Sequence, residues 1–151
     1  MNIIICGAGR VGFTISKLLS EQKHSITVID QSSEDIEKIK DSLDVNAIVG
    51  KATYPSILEK ANASDADMII AVTRNDEINM LICQIAHTVF KISKKIARIR
   101  SQYYLDTKYS NIYNTESLMR FLQEFLKLIL HKLHLRHLIQ KDFLSPVGEF
   151  F

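Results

Sequence analysis

The sequence predicts an α/β domain in which helices cover both faces of a parallel sheet, followed by a helical C-terminal extension. Three observations carry this prediction. Short apolar runs alternate with longer stretches of helical periodicity through the first hundred residues. Those runs are apolar at nearly every position rather than at alternate ones, as expected of strands buried on both faces. Strand–helix repetition of this length implies parallel strands joined by right-handed crossovers.

Each element follows from its own pattern. Ile3–Cys6 is continuously apolar and stops at Gly7, giving a first strand. Residues 10–22 carry Val11, Ile15, Leu18 and Leu19, the spacing of one helix face. Ile26–Ile29 is a second strand, stopped by Asp30. Ser32 or Ser33 can cap a helix bearing Ile36, Ile39 and Leu43, because a serine oxygen accepts a first-turn N–H that has no partner within the helix. The run 45–49 is a third strand ending at Gly50, and Pro55 suits the first turn of the next helix, where its missing N–H costs nothing. Met68–Val72 is a fourth buried strand, and a helix from about Asp76 to Phe90 presents Ile78, Leu81, Ile82, Ile85 and Val89. Ile96–Ile99 is a shorter fifth strand.

After about Ser101 the pattern changes. There is no clear sixth strand–helix unit, and Gly is absent from 51 to 147. Thr115 or Asn114 can cap a long helix to about Gln140, with Leu118, Leu122, Phe125, Ile129 and Leu133 forming one apolar stripe and mostly basic residues between. The predicted organisation is a domain over 1–110 and a helical tail over 111–151.

Composition bounds the function. The chain has 151 residues, about the size of one domain, with 46% hydrophobic and 24% charged residues. Nineteen basic against seventeen acidic residues leave a net charge of +2, too little to suggest a nucleic-acid partner. Cys6 and Cys83 both lie in apolar runs and read as buried thiols. No basic segment precedes the first apolar run, and no stretch approaches the ~18 uncharged apolar residues of a membrane span. A reduced, cytoplasmic protein is the expectation.

The hexapeptide Gly7-Ala8-Gly9-Arg10-Val11-Gly12 is a GxGxxG motif, which is weak alone and stronger here because it joins a buried strand to an amphipathic helix. Gly7 permits the tight turn, Gly9 lets backbone approach a pyrophosphate, and Gly12 lets helix and sheet lie close. The helix N-terminus offers N–H groups and partial positive charge to phosphate. Asp30 lies 18 positions past Gly12, where a carboxylate accepts ribose hydroxyls and repels a 2′-phosphate. This favours NAD(H) over NADP(H), while ATP and ADP share the same ribose; the competing role for Asp30 is a turn or helix cap. The sheet is therefore expected to be Rossmann-like. Its other strand ends supply Gly50-Lys51-Ala52-Thr53 and Thr73-Arg74-Asn75-Asp76, which suit either ligand contacts or turns and caps. Arg98 and Arg100 lie near the fifth strand, where they suit a solvated edge or an anion.

No His, Cys or Lys stands with an evident acid partner in a predicted catalytic loop, and no CxxC or HExxH spacing occurs. His131, His134 and His137 recur every three residues among leucines, which reads as an amphipathic surface rather than a metal site. A small NAD-dependent oxidoreductase, or a relic that retains only the nucleotide fold, is the alternative to a binding module.

Several stretches together resemble a known family: IIICGAGRVG at 3–12, ITVID at 26–30, DADMIIAVTRNDEINMLICQIA at 65–86, and IARIRS at 96–101 with Tyr103. They are similar to the N-terminal NAD-binding domains of Trk potassium-uptake regulators, of the RCK (regulator of potassium conductance) class. The resemblance covers about residues 1–105. It implies a non-catalytic, NAD(H)-responsive subunit that acts with a Trk-type potassium transporter membrane subunit, peripheral on the inner face of the cell membrane, and assembles as a homo-oligomer. The family's nucleotide contacts map onto Gly7 to Val11, Asp30, Thr73 with Arg74, and Arg98. Lys51 stands where the family commonly carries an acid or His, and residues after about 110 depart from its pattern.

Overall fold

Five parallel strands alternate with helices in a computed structural model that describes residues 1–105 and Lys108. The elements are β1 (Asn2–Cys6), α1 (Arg10–Glu21), β2 (Ser25–Asp30), α2 (Ser33–Ser42), β3 (Asn46–Val49), α3 (Pro55–Lys60), β4 (Met68–Ala71), α4 (Asp76–Thr88), β5 (Lys94–Ala97) and the short α5 (Gln102–Leu105), with a 3-10 turn at Ala63–Asp65. The predicted tail helix at 115–140, its three histidines and the boundary at 110/111 lie outside the described residues.

The sheet order is β3-β2-β1-β4-β5, all parallel, so the Rossmann-like, doubly wound expectation holds. Alternation along the strands divides the core in two. Ile3, Ile5, Ile26 and Val28 pack with Ile15 and Leu19 of α1 and Ile36 and Ile39 of α2 on one face. Ile4, Cys6, Ile29 and Ile69 pack with Leu58 of α3 and Ile82, Cys83 and Ala86 of α4 on the other. Because both faces are covered, β1 beyond Asn2 and all of β4 carry only apolar side chains and read as unbroken apolar runs, while β2 between Ser25 and Asp30 admits only the half-buried Thr27 among its apolar residues.

Local chemistry sets the helix starts. The Ser32 hydroxyl accepts the Asp35 N–H at 3.2 Å and caps α2, whose first turn carries Glu34 and Asp35. Asn75 Oδ1 accepts the Ile78 N–H at 2.8 Å and caps α4. Pro55 opens α3 as expected.

One boundary differs. The fifth strand runs over Lys94–Ala97, two residues earlier than Ile96–Ile99, so Arg98 and Arg100 stand beyond its carboxyl end. The lysines at its start hid that boundary from an apolar pattern. Lys95 is nonetheless buried, and its ammonium donates to the carbonyls of Ile92 and Ser93. Burial lowers its pKa from the usual lysine value.

The helix α1 lies close against the turn after β1. A Cβ built on Gly12 would lie 1.7 Å from the Gly7 carbonyl oxygen, a backbone atom that no side-chain movement can clear. Gly12→Ala should therefore push α1 off the glycine turn and cost roughly 1–3 kcal/mol or more. Chemical denaturation, with wild type alongside, measures this; a variant of unchanged midpoint would contradict the close approach.

The two cysteines give a second prediction. Burial, reinforced by the neighbouring Cys83 and then Asp30, pushes the Cys6 thiol well above its ordinary value, and burial pushes Cys83 up to about 12. The thiolate is the reactive form, so both thiols should resist aromatic disulfide reagents at pH 8 in the folded protein and react on unfolding. Fast labelling of the native protein at either position would refute this.

Candidate functional site

The carboxyl ends of the strands share one edge of the sheet, and the chain reverses its direction of winding between β1 and β4. A cleft opens at such a switch point because the loops after the two strands run to opposite faces. Here its volume is about 1090 Å³. The glycine turn forms its floor, and the segments following β2, β3, β4 and β5 form its walls.

The glycine turn is built from three different requirements. Gly7 has φ +116°, a conformation L side chains rarely adopt, and a Cβ there would also meet the backbone of Val72 and Thr73 at 3.0 Å. Gly12 admits α1 to the sheet, as described. At Gly9 a Cβ would meet no atom of the described residues within 4 Å, so among these the space before Gly9 is open. Gly9 also precedes α1 and supplies no side-chain cap to the first-turn N–H groups.

Asp30 ties β2 to this turn. Its Oδ2 accepts the Ala8 N–H at 2.7 Å, and its Oδ1 accepts the Ser32 N–H at 2.9 Å. The Gly50 N–H donates to its carbonyl at 2.8 Å. The carboxylate thus does the turn-residue work weighed above, while each oxygen keeps a lone pair and the side chain still lines the cleft.

On the far wall, Asn79 is fully buried in α4 and joins two strand ends. Its Oδ1 accepts the Thr73 N–H at 2.9 Å and the Thr73 hydroxyl at 2.7 Å. Its Nδ2 donates to the Thr73 carbonyl at 3.3 Å and the Arg98 carbonyl at 2.8 Å. Asp76, also buried, accepts the backbone N–H groups of Arg100 and Ser101 through Oδ2, both at 2.8 Å. Among the described residues its Oδ1 has no hydrogen bond, and it faces the Arg100 guanidinium at 3.6 Å. The Arg100 guanidinium in turn donates to the Arg74 carbonyl.

The cleft is cationic. Arg10, Lys51, Arg74, Arg98 and Arg100 line it against the carboxylates of Asp30 and Asp35. Burial lowers the Arg98 pKa from its usual value, Arg100 and Arg10 push the same way, and Asp76 opposes them. A guanidinium still carries its charge under such pressure, so this corner attracts anions. Lys51 lies at the rim with its ammonium 5.7 Å from the centroid of the Tyr54 ring.

Of the residues singled out from sequence, Gly7, Gly9, Arg10, Val11, Asp30, Thr73, Arg74 and Arg98 line this one cleft. Ala8 and Gly12 shape the turn from behind it. Sequence reading missed Asn79 as a site residue and gave Asp76 no particular role. A signal existed for Asn79: it falls at 79 in a buried stripe continued by Ile82, Cys83 and Ala86, and a polar residue there needs bonded partners. Among the described residues there is no group of three or more His, Cys, Asp or Glu that could hold a metal ion. Nor is any described helix long and apolar enough to cross a membrane.

Known proteins with similar sequences are potassium-uptake proteins. The chain is 41% identical over 112 residues to the Trk system potassium uptake protein TrkA of Azorhizobium caulinodans, covering 74% of this chain and 24% of that one. It is 44% identical over 108 residues to the protein of the same name from Halomonas elongata, covering 72% and 24%. The chain thus spans about a quarter of the length of these relatives. Among solved structures, the TrkA-N domain of inner membrane protein ybaL from Escherichia coli superposes with a TM-score of 0.68 at 19% identity, covering 87% of this chain and 95% of that one. The GsuK channel bound to NAD does so with a TM-score of 0.65 at 16% identity, covering 85% and 23%. At these identities the structures speak for the fold alone. Residues 3–114 match the TrkA-N domain, and the chain belongs to that family.

Proposed function

We propose that this chain is the nucleotide-binding unit of a regulator of Trk-type potassium uptake, and that it binds NAD(H) in the cleft. The observation that carries the reading is the open space at Gly9. It lies at the N-terminus of α1, beside a ribose-accepting carboxylate at Asp30 and among guanidiniums. The residues fit the cofactor: Gly7 to Val11 would hold the pyrophosphate, Asp30 a ribose, and Thr73, Arg74 and Arg98 the opposite wall. ATP or ADP would use the phosphate and ribose positions alone. The NAD-bound GsuK channel shares this fold, which supports a dinucleotide as the ligand.

In this reading the unit performs no chemistry on the nucleotide. It converts occupancy into a change of shape, which requires two conformations of unequal nucleotide affinity. The recipient is the membrane subunit of a Trk-type potassium transporter, with the regulator peripheral on the inner face of the membrane and no nucleic acid involved. The names of the relatives support this assignment.

The test is calorimetric titration with NADH and NADPH. NADH should bind more tightly, because a 2′-phosphate would set negative charge against Asp30. Asp30→Ala should weaken NADH by roughly ten- to hundredfold, the worth of hydrogen bonds to a charged group, and narrow the gap between the two cofactors. Gly9→Asp adds its side chain to open space, so it should abolish binding with little change in thermal stability. Equal wild-type affinity for NADH and NADPH would overturn the assignment of Asp30.

We propose further that the regulator is a homo-oligomer and that the apolar stripe of residues 115–140 contributes to pairing, since a buried Leu or Phe is worth ~1.5–3 kcal/mol. Light scattering should give a dimer or larger assembly for wild type. Phe125→Asp combined with Ile129→Asp should give a monomer that still binds NADH, and a monomeric wild type at micromolar concentration would refute the pairing.

A further inference from the structure

The Asn79–Thr73 contact has a chemical consequence for what the cleft can hold, and it rests on the nucleotide reading above. The orientation of the Asn79 amide is fixed by backbone groups whose polarity is not in question. Its Oδ1 lies 2.9 Å from the Thr73 N–H, which can only donate. Its Nδ2 faces the carbonyls of Thr73 and Arg98, which can only accept. The Thr73 hydroxyl, 2.7 Å from that same Oδ1, must therefore spend its one proton there. Among the described residues, the one other acceptor within reach is the Asn75 carbonyl at 3.2 Å, which is longer and likewise belongs to the protein. One hydroxyl lone pair accepts the Asn75 N–H at 3.3 Å. One lone pair remains, on a residue that lines the cleft.

Thr73 is thus presented with neither its N–H nor its hydroxyl proton available. Phosphate oxygens need donors, so this position has nothing to offer them; a ligand hydroxyl, which donates, fits it. The sheet order sets where that hydroxyl comes from. Asp30 ends β2 on one side of the glycine turn, and Thr73 follows β4 on the other. A pyrophosphate over the turn sends one nucleoside to each side. We propose that Asn79 is a positioning residue that makes Thr73 an acceptor-only contact, so that the β4 side of the cleft selects a ribose hydroxyl of a second nucleoside over a phosphate.

Three ligands separate the outcomes: NADH, ADP-ribose and ADP, of which only ADP lacks a second ribose. Thr73→Val keeps the side-chain shape and the backbone bond to Asn79 but removes the hydroxyl, and Thr73→Ser restores it. By calorimetry, Thr73→Val should weaken NADH and ADP-ribose by roughly three- to tenfold, the worth of one neutral hydrogen bond, and leave ADP unchanged. Thr73→Ser should recover both affinities, which a loss of packing at this site would not produce. Asn79→Ala, checked for native circular dichroism, should lose the preference for ADP-ribose over ADP. Equal weakening of ADP and NADH by Thr73→Val would mean the hydroxyl serves a phosphate and would overturn the proposal, as would unchanged NADH affinity. Wild-type protein that binds none of the three refutes the nucleotide reading itself, and the proposal with it.

Discussion

Everything at the carboxyl edge of the sheet depends on how closely α1 approaches the turn after β1. With no side chain at Gly12, the helix backbone lies against the Gly7 carbonyl, where a Cβ would come within 1.7 Å. Gly7 in turn needs φ +116° to redirect the chain from β1 into that helix. The two requirements together aim the first turn of α1 at the switch point between β1 and β4.

Around that turn, polar side chains bind the loops to one another rather than to solvent. Asp30 joins the ends of β1 and β2, Asn79 the ends of β4 and β5, and Asp76 the segment that follows β5. Each is a partly or fully buried polar group, and each has partners because an unbonded one would cost more than the bond gains. The walls of the cleft are therefore set by hydrogen bonds of known polarity, and this gives the site chemical direction as well as shape. The Asp30 side offers acceptors, the Arg98 and Arg100 corner offers cations, and Thr73 offers one lone pair.

The same arrangement ties the cleft to the segment after β5. Asp76 holds the backbone of Arg100 and Ser101, while the Arg100 side chain reaches the Arg74 carbonyl in the cleft wall. A few residues on, Tyr104 donates to Glu77 Oε1 at 2.7 Å, which lowers the Glu77 pKa. The segment after β5 is thus held by residues at the start of α4, next to the cleft wall. Any ligand that engages the arginines acts on groups that also position this segment.

Much of this was legible in the order of residues. Apolar runs marked all five strands, the fifth with bounds two residues late, because strands covered on both faces bury nearly every side chain, and period-3.6 stripes marked the helices. The GxGxxG spacing and Asp30 located the glycine turn and the edge of the cleft, since that chemistry is local to one strand, one turn and one helix start. What only the tertiary structure decided lies in contacts between distant segments. The fifth strand begins at Lys94 because pairing with β4, not its own apolarity, defines it. Asn79 meets Arg98 nineteen positions away, and Asp76 meets Arg100 twenty-four positions away. Periodicity reports which face of an element is buried but not which backbone group of another element faces it. The hydroxyl polarity of Thr73 depends on that second fact.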